Sequence, residues 1–523
     1  MSYDSSPVRA PRLSEWGMRL LLRALNSPAT SWLAGRHLIA TLGIPKLADV
    51  SFFPEMPIPP APPGPSRQAL SQPPAPPGFA FSGVADYTEA YRSGRLTPLT
   101  VAQRFLAAVG DSNPTLHAFI ACNEGDVMAQ ARESTHRWAH NQPLGPLDGV
   151  PVSVKDEMDQ RGYPTTIGTT FCGHGPAGAD CLVVGRLRQA GALLAGKTNM
   201  HELGLGITGF NTHYGTVRNP YGLDNFAGGS SSGAGAAVAA GLGPVAIGAD
   251  GGGSVRIPAA FCGLVGLKPT FGRVPCGDLD PSLSVSGPLT TNAQDAALVY
   301  SVMSDTRLVL SDLDLSGVRF GVYRPWFDHA SPEVLEGCRA LLKELGVTLI
   351  EVDIPYLHLA RVAQNVIIAS EIAAFLGPDY RRFRSRMGLD VRIPLAIAQQ
   401  LRAVDFLAAQ HVRHRARAEL TRVISQVDLL LTPTTACVAP VVRSAGGESD
   451  LSQTTEVLRF TALANLTGHP AIAVPAGYTS KGLPVSLQAM GGYWSEELLL
   501  RFALACQARA PRRAPQRFYP LLG

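Results

Sequence analysis

Gly251-Gly252-Gly253-Ser254 sets three consecutive glycines before a serine. Glycines let the backbone turn so that several N–H groups point into one small space, where a developing oxyanion can be held. A serine closing such a run is placed as a nucleophile, but it needs a base. The segment 228–270 contains no histidine. Lys155 is a candidate because it closes the apolar run Val150-Pro151-Val152-Ser153-Val154, a predicted buried strand. Lysine has a reference pKa of about 10.4, so it serves as a base only when burial or its neighbours hold it neutral.

Two other motifs compete for the chemistry. Gly191 to Thr198, GALLAGKT, satisfies the phosphate-loop pattern G-x-x-x-x-G-K-[ST]. That pattern requires a strand, then a flexible loop, then a helix. Here the intervening Ala-Leu-Leu-Ala reads as the strand itself and a helix-like RLRQAG precedes it, so the context is reversed. Gly229-Ser230-Ser231-Ser232-Gly233 fits the G-x-S-x-G nucleophile elbow, which needs a strand before it. The preceding RNPYGLDNFAGG is turn-rich instead.

The elements that must position these residues are legible in outline. Strand-like runs at 150–155, 192–195 and 317–323 alternate with helix-like runs at 331–345 and 406–426, which predicts an α/β fold with a substantial sheet. Charged residues make up only 16% of the 523, against roughly a quarter in an average soluble domain. The net charge of +4 is too small to propose nucleic acid as a partner. Eight scattered cysteines without C-x-x-C pairs read as reduced core thiols of a cytosolic protein, with no zinc site and no disulfide scaffold. Met1 to Leu13 lacks the apolar run of a secretory signal, and no metal or cofactor is expected.

The N-terminal zone has its own character. On a helix, Arg12, Glu15, Arg19, Arg23 and Asn26 form a narrow polar stripe beside an apolar face carrying Trp16, Met18 and Leu20 to Leu22. A second helix is predicted from Trp32 to Leu42. Such helices dock on a protein surface or lie in a membrane interface, and the sequence leaves both open. Residues 54–77 hold eleven prolines, which predicts an extended strap. The expected division is therefore 1–82 for helices and strap, and 83–523 for the catalytic body.

The segment 228–270 resembles the amidase signature, whose enzymes hydrolyse amides with a Ser–cis-Ser–Lys triad. The resemblance extends to LDGVPVSVKD and AGKTNMHELG upstream, and to DLLLTPTT, TGHPAIAVPAG and GLPVSLQAMG downstream. It implies a large central mixed, twisted β-sheet flanked by helices on both faces. It also implies that Ser254 is the nucleophile, Ser230 the bridging serine on a cis peptide and Lys155 the terminal base, with separations of 75 and 24 residues that agree with the family. The amides of Gly251, Gly252, Gly253 and Ser254 would form the oxyanion hole. Asp250 and Arg256 would be an ion-paired support, and Ser231 and Ser232 would stand behind Ser230.

Within that family the resemblance is to the plant type of fatty acid amide hydrolase. DEMDxxxYPTT, HELGLGITGFNTHYGTVRNPY and DGGGSVRIPA carry it, as does the N-terminal extension APRLSEWGMRLLLRAL with the FFPEMPIP strap and DYTEAYRSGRLTPLTVAQRF. It implies hydrolysis of N-acylethanolamines and related fatty amides, and a homodimer with peripheral membrane association; the expected location is cytoplasmic or peripheral on a membrane surface. Gly204 and Leu205 would adjoin the substrate pocket. The strap and the region 277–330 depart from the plant pattern. The competing expectations are a short-acyl or aryl amidase or esterase, and an amidotransferase A-like subunit.

Overall fold

Runs in which nearly every residue is apolar have no side to turn to water, so they pack as strands covered on both faces. Pro151–Lys155, Leu193–Thr198 and Val245–Asp250 are such runs, buried at every position, and they pair in parallel with Pro151–Lys155 in the middle. The computed structural model describes residues 13–27, 29–62, 77–275, 281–306, 308, 314–443 and 451–523. There these three strands belong to an eleven-stranded mixed sheet, flanked by helices. Phe119–Ala121 edges them on one side. On the other, the order continues through Val285–Thr290, Val265–Lys268, Ala471–Tyr478, Pro484–Gly491, Leu429–Pro433, Phe320–Val322 and Leu349–Glu351. Val285–Thr290 runs antiparallel to Val245–Asp250, in register from Val245↔Thr290 to Asp250↔Val285.

The predicted strands at 150–155 and 192–195 are present, and the one at 317–323 shortens to Phe320–Val322. The predicted helices are found at Pro332–Leu345 and Ala403–Gln426. The longest helix, Leu357–Phe383, is long and apolar enough to cross a membrane. It packs instead against the helix Ala403–Gln426 and the short helix Ala462–Thr467. It breaks at Gly377, whose φ is 45°, because Pro378 cannot donate to the helical ladder.

Two N-terminal helices, Glu15–Asn26 and Ser31–Thr41, precede the body. The first is capped by Ser14, whose hydroxyl accepts from Gly17 N at 3.3 Å. It buries Met18, Leu22 and Leu25 against Leu389, Ile393, Ala396 and Ile397 of the helix Leu389–Ala398. Fully burying a side chain of this size contributes about 1.5–3 kcal/mol. One apolar face is thus docked on the chain's own body, while Trp16, at 74% exposure, and Leu20, Trp32 and Leu33 remain outside. The polar stripe from Glu15 to Asn26 lies on this helix; Arg12 lies outside the described residues.

The strap's residues 54–62 form neither helix nor strand, and 63–76 lie outside the described residues. The chain just before and within it is held by side chains of the body. Phe53 N donates to His411 Nδ1 at 3.1 Å, Arg417 Nη1 to Met56 O at 2.9 Å, and Trp494 Nε1 to Pro59 O at 2.9 Å.

Candidate active site

In open α/β sheets, the loops beyond the carboxyl ends of parallel strands bring reactive groups together. Lys155 and Asp250 each end one of two adjacent parallel strands, so their side chains are delivered to the same end of the sheet. Ser230 arrives from the loop before the helix Ser232–Ala239, and the Gly229–Ser230 peptide is cis. Lys155 is 1% exposed, and its Nζ donates to Ser230 Oγ at 2.8 Å. The same Nζ lies 2.9 Å from Glu157 Oε2.

The glycine run is fixed from behind by Asp250. Its Oδ1 accepts from Gly253 N at 2.8 Å and its Oδ2 from Val255 N at 3.1 Å. Arg256 closes on the same carboxylate through Nε at 3.0 Å and Nη2 at 2.9 Å. Burial alone would raise the Asp250 carboxyl, but the charge and hydrogen bonds of Arg256 hold it well below the usual carboxylate range. The pair is fully buried, and Arg256 also reaches Gln488 Oε1 and Asn465 Oδ1, both at 2.6 Å. Asp250 and Arg256 are therefore placed to hold the loop.

Gly253 departs from the expectation that its amide binds the oxyanion, because its N–H is spent on Asp250 Oδ1. What Gly253 supplies is conformation. Its φ is +127°, and a Cβ there would stand 2.5 Å from Thr461 Oγ1. The carbonyls before it are anchored too: Gln364 Nε2 donates to Gly251 O at 3.1 Å and Thr461 Oγ1 to Gly252 O at 2.7 Å. Because the peptide unit is planar, fixing the Gly251 carbonyl also fixes the direction of the Gly252 N–H.

Two cavities meet at Ser254, which is 8% exposed. The first, about 260 Å³, has a mainly apolar wall that includes Leu205, Ile207, Ile393, Ile397 and Leu401, with Leu42 and Ile44 from the N-terminal zone. Gly252 and Gln364 border it near Ser254. The second, about 340 Å³, is bordered by Lys155, Glu157, Ser230, Glu371 and Phe375. Gly204 borders both. Its φ is +67°, and a Cβ there would lie 3.8 Å from Ser230 Oγ and 3.5 Å from Glu157 Oε2, so bare backbone keeps this passage open. The loop carrying Gly204 is tied to the cavity wall: His201 Nε2 lies 3.0 Å from Asp390 Oδ2, and Gly388 N donates to Glu202 Oε2 at 2.8 Å.

The competing motifs serve structure. Leu193–Thr198 is a buried strand, and Lys197 Nζ donates to Met158 O at 2.8 Å and lies 3.3 Å from Asp156 Oδ1. Ser231 is wholly buried and its hydroxyl donates to Ala249 O at 3.2 Å. Sequence reasoning missed Glu157, Gln364 and Glu371. Glu157 stood two residues from Lys155, a readable signal for a strand-end neighbour. Gln364 and Glu371 had none, since nothing local says which side of a long apolar helix meets a site more than 100 residues away in sequence.

The sheet and the site at its strand ends define an amide-hydrolysing enzyme, and the chain belongs to the amidase family, whose model matches residues 100–500. Over the full length, it is 35% identical to a fatty acid amide hydrolase of Medicago truncatula and 34% identical to one of Arabidopsis thaliana, covering 97% of each. It is also 31% identical to the A subunit of the glutamyl-tRNA(Gln) amidotransferase of Coxiella burnetii, over 80% of this chain and 95% of that protein. Among solved structures, a bacterial aryl acylamidase of the amidase signature family aligns with a TM-score of 0.73 at 27% identity, over 82% of this chain and 96% of the other. The peptide amidase of Stenotrophomonas maltophilia aligns with a TM-score of 0.71 at 28% identity, over 83% and 98%.

Proposed function

We propose that this enzyme hydrolyses fatty acid amides, N-acylethanolamines among them, to a fatty acid and an amine through an acyl-enzyme on Ser254. The observation that carries the reading is the 2.8 Å contact of buried Lys155 with Ser230, at the wall of a cavity that shares Ser254 with an apolar one. Lys155 takes the proton of Ser230 while Ser230 takes that of Ser254, and Ser254 Oγ attacks the amide carbon. Glu157 then stands as counter-ion to the ammonium. The amides of Gly251, Gly252 and Ser254 receive the oxyanion. Returning along the same path, the proton reaches the amide nitrogen, the C–N bond breaks, and water later releases the acid.

The apolar cavity, partly walled by Leu42 and Ile44 ahead of the family match, supports a long acyl chain. The exposed Trp16, Leu20, Trp32 and Leu33 support a further contact, with a bilayer or with a second copy of the chain. The test is a series of ethanolamides from butanoyl to octadecanoyl, run beside glutamine and benzamide. A rise in kcat/KM with acyl length is expected. Equal turnover at all lengths overturns the lipid reading, and preference for benzamide or glutamine favours the aryl amidase or amidotransferase relatives.

A further inference from the structure

On the reading just given, the scissile bond lies at Ser254 and its two halves leave in different directions. The proton that frees the amine comes through Ser230, which borders only the second cavity. The leaving nitrogen must therefore face that cavity, and whatever the nitrogen carries lies inside it. The acyl chain is left the apolar one.

The wall the amine meets is rich in acceptors. Glu157 is paired with Lys155 on one side. Glu371, on the helix Leu357–Phe383, also borders the cavity and accepts from Ser282 N at 3.1 Å and from Ser282 Oγ. A carboxylate offers about four acceptor positions, so these two bonds leave capacity for a ligand. The cation behind Glu371 is Arg413, which does not border the cavity. It donates to Ser282 Oγ at 3.0 Å, Ser282 O at 2.6 Å and Leu466 O at 3.2 Å. Among the described residues bordering the cavity, the cation is Lys155, already engaged by Ser230 and Glu157.

We propose that the second cavity is the amine subsite and that Glu371 makes it selective, accepting amines that carry a hydroxyl or ammonium group and rejecting those that carry a carboxylate. A hydroxyl or ammonium donates to Glu371. A carboxylate there meets like charge with no cation free to pair it, an arrangement that binding sites use to refuse wrong partners.

The test compares amides of ethanolamine, 1,2-diaminoethane and glycine, each with hexadecanoyl and with butanoyl groups. The first two should exceed the glycine amide by about tenfold or more in kcat/KM, at whichever acyl length is accepted. Glu371→Gln, which retains an acceptor and a donor for Ser282, and Glu371→Ala should close that gap by a gain on the glycine amide. In the unaltered enzyme, free ethanolamine and 1,2-diaminoethane should inhibit. A glycine amide cleaved as fast as the ethanolamide, a gap unchanged in both variants, or no inhibition by either free amine overturns the proposal. Cleavage of butanoyl but not hexadecanoyl amides overturns the lipid reading alone, because the amine preference is still measured on the short series.

Discussion

Replacing Ser254 by Ala removes the one hydroxyl that, among the described residues, faces both cavities. The expected loss in kcat is about 10⁴-fold or more, and a fluorophosphonate should label residue 254 in the unaltered enzyme, located by peptide mass. Label on the buried Ser231 would refute the assignment. Lys155→Met should lower kcat by about 10²–10⁴, the range of a lost general base. Gly253→Ala acts on the loop itself. With φ at +127° and Thr461 Oγ1 only 2.5 Å from the new Cβ, a stability loss of about 1–3 kcal/mol is expected in denaturant titration. Adding Thr461→Ala should recover only part of it, because the backbone angle stays wrong. At this scale Ser254 and Lys155 drew notice as reactive types closing a glycine run and an apolar run, while Ser230 entered only through the resemblance. The diversion of the Gly253 amide was not legible, since an amide's direction depends on which acceptor the folded loop offers it.

Elements behave differently, because their ends carry groups that no motif announces. Asp295 lies in the first turn of the helix Ala293–Ser304. Its side chain accepts from Val84 N at 3.0 Å and Asn292 Nδ2 at 2.8 Å, tying that helix to the start of Val84–Arg92. Burial pushes its carboxyl up to about 7. Below the ordinary carboxylate value of about 4, both folded and unfolded chains hold the proton. As pH rises from there toward 7, the unfolded chain ionises first, so stability falls across that window. Asp295→Asn should flatten the Tm profile between about pH 4 and 7 and change it little below pH 4, as read by thermal melts. The strands read at 150–155 and 192–195 were legible because a fully buried strand draws on a mainly apolar run, whereas Gly196 to Thr198 extend the second beyond what that run announced. The helix Leu357–Phe383 escaped because its apolar surface serves packing and cavity walls at once.

For the molecule as a whole, the N-terminal zone resolves one half of an open question. The face with Met18, Leu22 and Leu25 is spent on the body, which leaves Trp16, Leu20, Trp32 and Leu33 for an outside surface. Substituting these four by Ser should reduce co-sedimentation with anionic liposomes if they meet a bilayer, or dissociate a dimer in sedimentation velocity if they meet a second chain. No change in either measurement refutes both roles. Amphipathic periodicity revealed such a helix in the sequence, but it could not divide one broad apolar face into a docked part and an exposed part.

On the proposed reading, the meeting of two cavities at one serine also sets a kinetic order. Once the amine has departed, its space stands open to solutes while the acyl group still occupies the other side. Water is then one nucleophile among several. Hydroxylamine added to a turning-over reaction should divert the acyl group to a hydroxamate, in a proportion that depends on its concentration and not on which amine was released.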